Sequence, residues 1–173
     1  MSFSIPGYLR SLWYKNLAVI LIDMQEPFFK NIRTKHKGRI LRAQKSALRQ
    51  CIRHDIPVCV VEYVDCGDTL PDLRELLRKV PRTVTLVKSK DDAFTNRKLA
   101  KVLKDWHAGR LILMGINADA CVLDTAQSAV RRGYEIITAP ALIAGTSWHS
   151  ENDSIDWYSK NGSVVRSVLP ILG

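Results

Sequence analysis

The stretch Leu17-Ala-Val-Ile-Leu-Ile22 is an unbroken apolar run that stops at Asp23. It is too short for an ordinary buried helix, and its branched side chains suit a strand. A strand that is apolar at every position, not every second one, is covered on both faces. That is the habit of a parallel sheet. The same signature returns at Val58–Val64, Val84–Val87, Leu111–Met114 and Ile136–Thr138, with a weaker copy at Val164–Val165.

Helical spacing fills the intervals. Arg39–Arg53 aligns Ile40, Leu41, Ala47, Leu48, Cys51 and Ile52. Pro71–Val80 opens on a proline and carries a Leu73, Leu76, Leu77, Val80 stripe. Asn96–Trp106 and Ala120–Arg131 have similar stripes, and Gly133 stops the latter. Ser154–Lys160 is a weaker helix. This alternation predicts a three-layer α/β/α sandwich, Rossmann-like, with a central mainly parallel sheet of about six strands.

Length and composition agree with that architecture. The chain has 173 residues, which suits a single domain over 1–173. Hydrophobic residues make up 46% and charged residues 25%, which excludes a disordered chain. No run approaches the ~20 apolar residues of a membrane helix. The start of the chain does not read as a secretory leader, and the four cysteines form no CxxC pair. The expectation is a reduced, cytoplasmic protein without membrane partners.

Sites in such folds lie beyond the carboxyl ends of the strands. The residues there are Asp23 after the first run, Asp65 after the second, Lys88 at the third, and the Gly115–Cys121 loop after the fourth. Cys121 opens a helix, where the positive helix end and free N–H groups favour a thiolate. Asp23 and Lys88 stand at ends that can converge on it. An acid, a cation and a thiol in one place make a nucleophile with its base, and backbone N–H groups can serve an oxyanion. Each residue alone has a plainer reading: a packed thiol, a turn Asp, a solvated Lys.

LAVILIDMQEPFF, VKSKDDAF and GINADACVLDTAQSAVRRGYEI, taken together, resemble one family, the isochorismatase-like cysteine hydrolases. LAVILIDMQEPFF (Leu17–Phe29) is similar to its opening, with Asp-x-Gln after the first strand. VKSKDDAF (Val87–Phe94) is similar to its lysine segment, where Lys precedes an Ala-Phe pair. GINADACVLDTAQSAVRRGYEI (Gly115–Ile136) is similar to its nucleophile segment. The resemblance implies a catalytic triad of Asp23, Lys88 and Cys121, with spacing to Phe94 selecting Lys88 over Lys90. It also implies a cis peptide at Ile116–Asn117 and an oxyanion hole from the N–H groups of Asn117 and Cys121. The implied activity is cleavage of a C–N bond in a small amide or carbamoyl-type substrate through a thioester. Phe28 and Phe94 are candidates for walls of the substrate pocket. Trp148 and His149 stand in a late loop that reads as a lid or a subunit contact. A homo-oligomer is implied as well, and no cofactor.

The chain also departs from family patterns. The nicotinamidase branch has Asp-x-His after the second strand, where this chain reads Asp65-Cys66-Gly67-Asp68. The four histidines show no ligand spacing. This predicts no metal site and argues against nicotinamidase activity. The isochorismatase branch tends to carry a small residue at the nucleophile position, so Cys121 argues against hydrolysis of a non-amide molecule of that type. Ser128 and Pro140 stand where the family often has Asp.

The formal charge is +9. Much of it falls on Arg33 to Arg53, including Arg42, Lys45 and Arg49. A scaffold or binding protein that contacts RNA through this face is the competing reading. The stretch has no aromatic residue and no nucleic-acid motif, so a solvated outer helix face explains it better. Nucleic acid is not an expected partner.

Overall fold

Every residue of the first apolar run is buried in strand β1 (Leu17–Ile22). A computed structural model describes residues 14–146 and 148–167. After β1 come α1 (Glu26–Asn31), α2 (Thr34–His54), β2 (Val58–Tyr63), α3 (Pro71–Leu77) and β3 (Thr83–Lys88). A short 3-10 turn at Ala93–Thr95 leads to α4 (Arg97–Asp105), β4 (Arg110–Ile116) and α5 (Cys121–Arg131). The chain closes with β5 (Glu135–Thr138), β6 (Ile143–Ala144), α6 (Trp148–Asn161) and β7 (Ser163–Val164).

The sheet has seven strands in the order β3-β2-β1-β4-β5-β7, and β6 lies beside the end of β4. All of its strand pairs are parallel. Helices cover both faces, so the three-layer α/β/α reading holds. From β1 the chain first builds outward through β2 and β3. It then returns to the other side of β1 with β4 and builds the opposite way. The crevice between the carboxyl ends of β1 and β4 is therefore the switch point of the sheet, where such folds hold their ligands.

Close packing at this point is enforced by Gly115. Its φ is +148°, and a Cβ there would lie 2.1 Å from the Ile22 carbonyl oxygen. Only glycine lets β4 approach β1 so closely at the ends that carry the site. Gln44, fully buried in α2, donates to the Leu142 carbonyl at 2.9 Å and holds the segment that leads into β6. Strand β6 in turn accepts the Ala118 N–H at 3.0 Å through Ala144. The loop after β4 is thus secured from below.

Two helices begin earlier than their apolar stripes. Helix α2 starts at Thr34, ahead of Ile40, and α6 starts at Trp148, ahead of Ser154. The extra turns are joined by one buried contact, His36 Nδ1 to Glu151 Oε1 at 2.6 Å. Glu151 also accepts the Gly145 N–H at 3.0 Å. Polar side chains buried against each other support these turns where apolar ones are lacking. The side chains of Trp148 and His149 lie outside the described residues. No helix among the described residues is long and apolar enough to cross a membrane.

Candidate active site

Asp23 follows β1 with φ +50°, a left-handed conformation that Asp tolerates better than most residues. Its N–H donates to the Val61 carbonyl of β2 at 2.9 Å, and its carbonyl accepts the Gln25 N–H at 2.7 Å. The turn points the carboxylate into the switch-point crevice. Gln25, also buried, ties this turn to the end of β2. Its side chain accepts the Tyr63 N–H at 2.7 Å and donates to the Tyr63 carbonyl at 2.9 Å.

Lys88 ends β3 and stands beside Tyr63 of β2 in the sheet register. Strand β2 separates it from β1, a lateral span of ~10 Å over two strand spacings. The lysine side chain bridges that span. Its Nζ lies 4.6 Å from the centre of the Tyr63 ring and 2.7 Å from Asp23 Oδ2. Neither side chain of this ion pair is exposed. Lys88 also donates to the Lys90 carbonyl at 3.1 Å.

Cys121 is the first residue of α5 and is 3% exposed. The peptide bond Ile116–Asn117 is cis, as the resemblance implied. Beyond it, the Ala120 and Val122 N–H groups both close on the Asn117 carbonyl, at 3.2 and 3.1 Å. Among the described residues the N–H groups of Asn117 and Cys121 donate to no carbonyl. Thr125 ties the helix to the lysine segment: it accepts the Ala93 N–H at 3.0 Å and donates to the Cys121 carbonyl at 2.7 Å.

The electrostatics differ from the thiolate expected at a helix start. Burial pushes the Cys121 thiol up, and the adjacent Asp23 carboxylate pushes it further. Lys88 works the other way but does not prevail. Asp23 is itself raised by burial, against the pull of Lys88 and of the Cys121 thiol. The thiol thus stands beside a carboxyl whose charged form Lys88 favours and burial opposes. Cys51 and Cys59 are plain core thiols, pushed up to about 12 by burial.

The structure brings Asp23, Lys88, Cys121 and the Asn117 loop together. The two phenylalanines are placed differently. Phe28 is half-buried and meets the Tyr63 ring edge-on at 5.9 Å. Phe94 is 5% exposed and stacks on Tyr134 at 5.9 Å, with the Arg132 guanidinium 4.6 Å from its ring centre. Its ring is largely consumed by packing beyond the far end of α5. Two neighbours were missed in the sequence. Tyr63 covers Lys88, and the Cys121 thiol donates to Asp91 Oδ1 at 3.3 Å. The Lys-Asp-Asp run at Lys90–Asp92 is the signal in the sequence for this second acid.

After β2 the loop carries Asp65, Cys66 and Asp68 and no histidine. Among the described residues no three His, Cys, Asp or Glu side chains are grouped to hold a metal.

Solved structures share this architecture at low sequence identity. A MAR1 ribonuclease from Caenorhabditis elegans is 23% identical, with a TM-score of 0.80, covering 91% of this chain and 80% of that one. The Staphylococcus aureus nicotinamidase is 18% identical, with a TM-score of 0.78 and coverage of 88% and 98%. An octameric hydrolase of unknown specificity from Escherichia coli is 16% identical, with a TM-score of 0.78 and coverage of 92% and 78%. These likenesses concern the fold. No curated protein matches the chain in sequence. A family model, the isochorismatase domain, matches residues 17–168. That interval opens on the first residue of β1 and contains all the strand ends that build the crevice. The chain belongs to the isochorismatase family.

Proposed function

We propose that the protein is a cysteine hydrolase that cleaves a C–N bond of a small amide or carbamoyl-type substrate. The observation that carries this reading is the buried Asp23–Lys88 pair beside the Cys121 thiol. A buried ion pair is a weak device for stability, because desolvation offsets most of its attraction. Next to a thiol it places a proton acceptor and a fixed cation beside the sulfur.

The steps follow from the residues. Asp23 takes the proton from Cys121 as Sγ attacks the carbonyl carbon. The N–H groups of Asn117 and Cys121 hold the oxyanion that forms. Asp23 then gives its proton to the leaving nitrogen, the C–N bond breaks, and the acyl group remains on sulfur as a thioester. Water attacks the thioester carbonyl as Asp23 takes its proton, the C–S bond breaks to release the acid product, and Asp23 returns the proton to sulfur to restore the thiol. Lys88 is the fixed cation throughout. Phe28 forms one wall of the substrate pocket, and Phe94 underlies the lysine segment.

Ammonia release from a panel of small amides and ureido acids tests this reading, with Cys121→Ala run in parallel. Release that depends on Cys121 is the expected result. A panel with no turnover, or turnover that survives the substitution, would overturn it. The octameric neighbour supports a homo-oligomer, which sedimentation would measure.

A second reading has one observation in its favour. Arg42, Arg49 and Arg53 are exposed on the outer face of α2, and one structural neighbour is named a ribonuclease. Binding of single-stranded RNA that is lost on neutralising these three arginines, and indifferent to Cys121→Ala, would favour that reading. No binding at low salt would dismiss it.

A further inference from the structure

A cysteine nucleophile with its own base has no need of a second carboxylate, yet Asp91 Oδ1 stands 3.3 Å from Cys121 Sγ. Two other acids nearby are already engaged. Asp23 is paired with Lys88. Asp92 accepts the Ser128 hydroxyl and the Phe94 N–H. Asp91 is exposed and, among the described residues, joins no ion pair. Asp124, in the first turn of α5, adds a third acid at the same place; burial first, then Asp91 and Asp92, raise its carboxyl, against the pull of Arg131 and Lys88. The approach to the sulfur is therefore negative in a chain whose net charge is +9.

We propose that Asp91 selects the substrate: the site takes small amides that carry an ammonium or amidinium group near the scissile carbonyl, and it rejects anionic ones. This rests on the cysteine hydrolase reading and narrows its substrate class. A cation brought against Asp91 forms an attractive pair at the mouth of the site, whereas a carboxylate meets a like charge. The same pairing also assists the chemistry. Unpaired, Asp91 opposes the negative charge that grows on sulfur as its proton leaves. A cationic substrate cancels that opposition where the thiol is deprotonated. Binding and activation are thereby coupled, and a substrate without the cation gains neither.

Charged thiol reagents read this directly, without hydrolysis. Aminoethyl methanethiosulfonate is cationic and sulfonatoethyl methanethiosulfonate is anionic. With either, the sulfur of Cys121 displaces methanesulfinate and forms a mixed disulfide. Rates are measured on a Cys66→Ser background, since Cys66 is partly exposed, and are normalised to those of 2-mercaptoethanol. The cationic reagent should be favoured by at least about tenfold beyond that reference, as expected for one nearby charge. Asp91→Asn should remove about tenfold of the excess, and Asp91→Lys should invert it. An excess that is absent, or unchanged in Asp91→Asn, overturns the proposal, and so does failure of both reagents to reach Cys121.

Amide turnover supplies the second arm. Glycinamide should be preferred to propionamide, and succinamate should be the poorest substrate. Asp91→Asn should flatten that order. Failure of the hydrolase reading would appear differently, as no Cys121-dependent ammonia release at all, with the labelling result left standing.

Discussion

Lys88 reaches across the end of strand β2 to meet Asp23 at 2.7 Å, and both side chains are fully buried. The two residues come from strands that do not touch each other, β3 and β1. Their meeting is a product of the fold and not of local sequence. The same contact leaves Asp23 beside Cys121, at the start of α5.

Breaking this pair from one side should be costly. Lys88→Met leaves a buried carboxylate without its cation, and urea unfolding should show a loss of about 3 kcal/mol. The double variant Asp23→Asn with Lys88→Met should recover most of that loss and remain inactive. Recovery of stability without activity would mark the pair as functional. A double variant less stable than Lys88→Met alone would mark it as structural.

Tyr63 should tune Lys88. Its ring lies 4.6 Å from the ammonium, and such contacts contribute about 0.5–2 kcal/mol. Tyr63→Leu should lower kcat by roughly three- to thirtyfold, with a smaller change in KM. An unchanged kcat would remove the ring from the account.

Stability should fall on the alkaline side. Cys51 and Cys59 are pushed from 9.0 to about 12 by burial. Between those values the unfolded chain has released protons that the folded chain keeps. Stability therefore decreases as pH rises through that window, by about 1.4 kcal/mol per pH unit for each thiol, and is unaffected below it. Cys51→Ala should make the fall shallower by about that amount. Urea unfolding at a series of pH values up to 10.5 checks the slope.

Gly115→Ala should not be tolerated. The added methyl would lie 2.1 Å from the Ile22 carbonyl oxygen, between two central strands. Overpacking of backbone against backbone should cost about 3 kcal/mol or more, read as a loss of soluble, cooperatively unfolding protein. Gly133→Ala also meets a positive φ but has nothing within 4 Å, so its cost should be about 1 kcal/mol.

The sheet was legible because its central strands are almost wholly apolar, as Leu17–Ile22 shows, in runs too short for an ordinary buried helix. Asp23 and Lys88 were legible from their places at strand ends together with the family resemblance. Strand β6 was not: Ile143–Ala144 is too short to carry a period. The first turns of α2 and α6 were hidden because His36 and Glu151, a polar pair from distant parts of the chain, do what an apolar stripe would otherwise do. Asp91 was hidden among charged neighbours, since nothing in Lys90-Asp91-Asp92 tells which acid turns toward the sulfur. The thiolate expectation failed for a related reason. Helix position is readable from sequence, but burial and two adjacent carboxylates are properties of the assembled site.

The most direct measurement is the intact mass of the protein quenched in acid during turnover of a small amide. An added acyl mass should appear on the peptide that contains Cys121. No such mass should appear with Cys121→Ala, whose turnover should fall by about a thousandfold or more. Turnover in Cys121→Ala within tenfold of the parent, or an adduct on any other residue, would contradict the thioester mechanism.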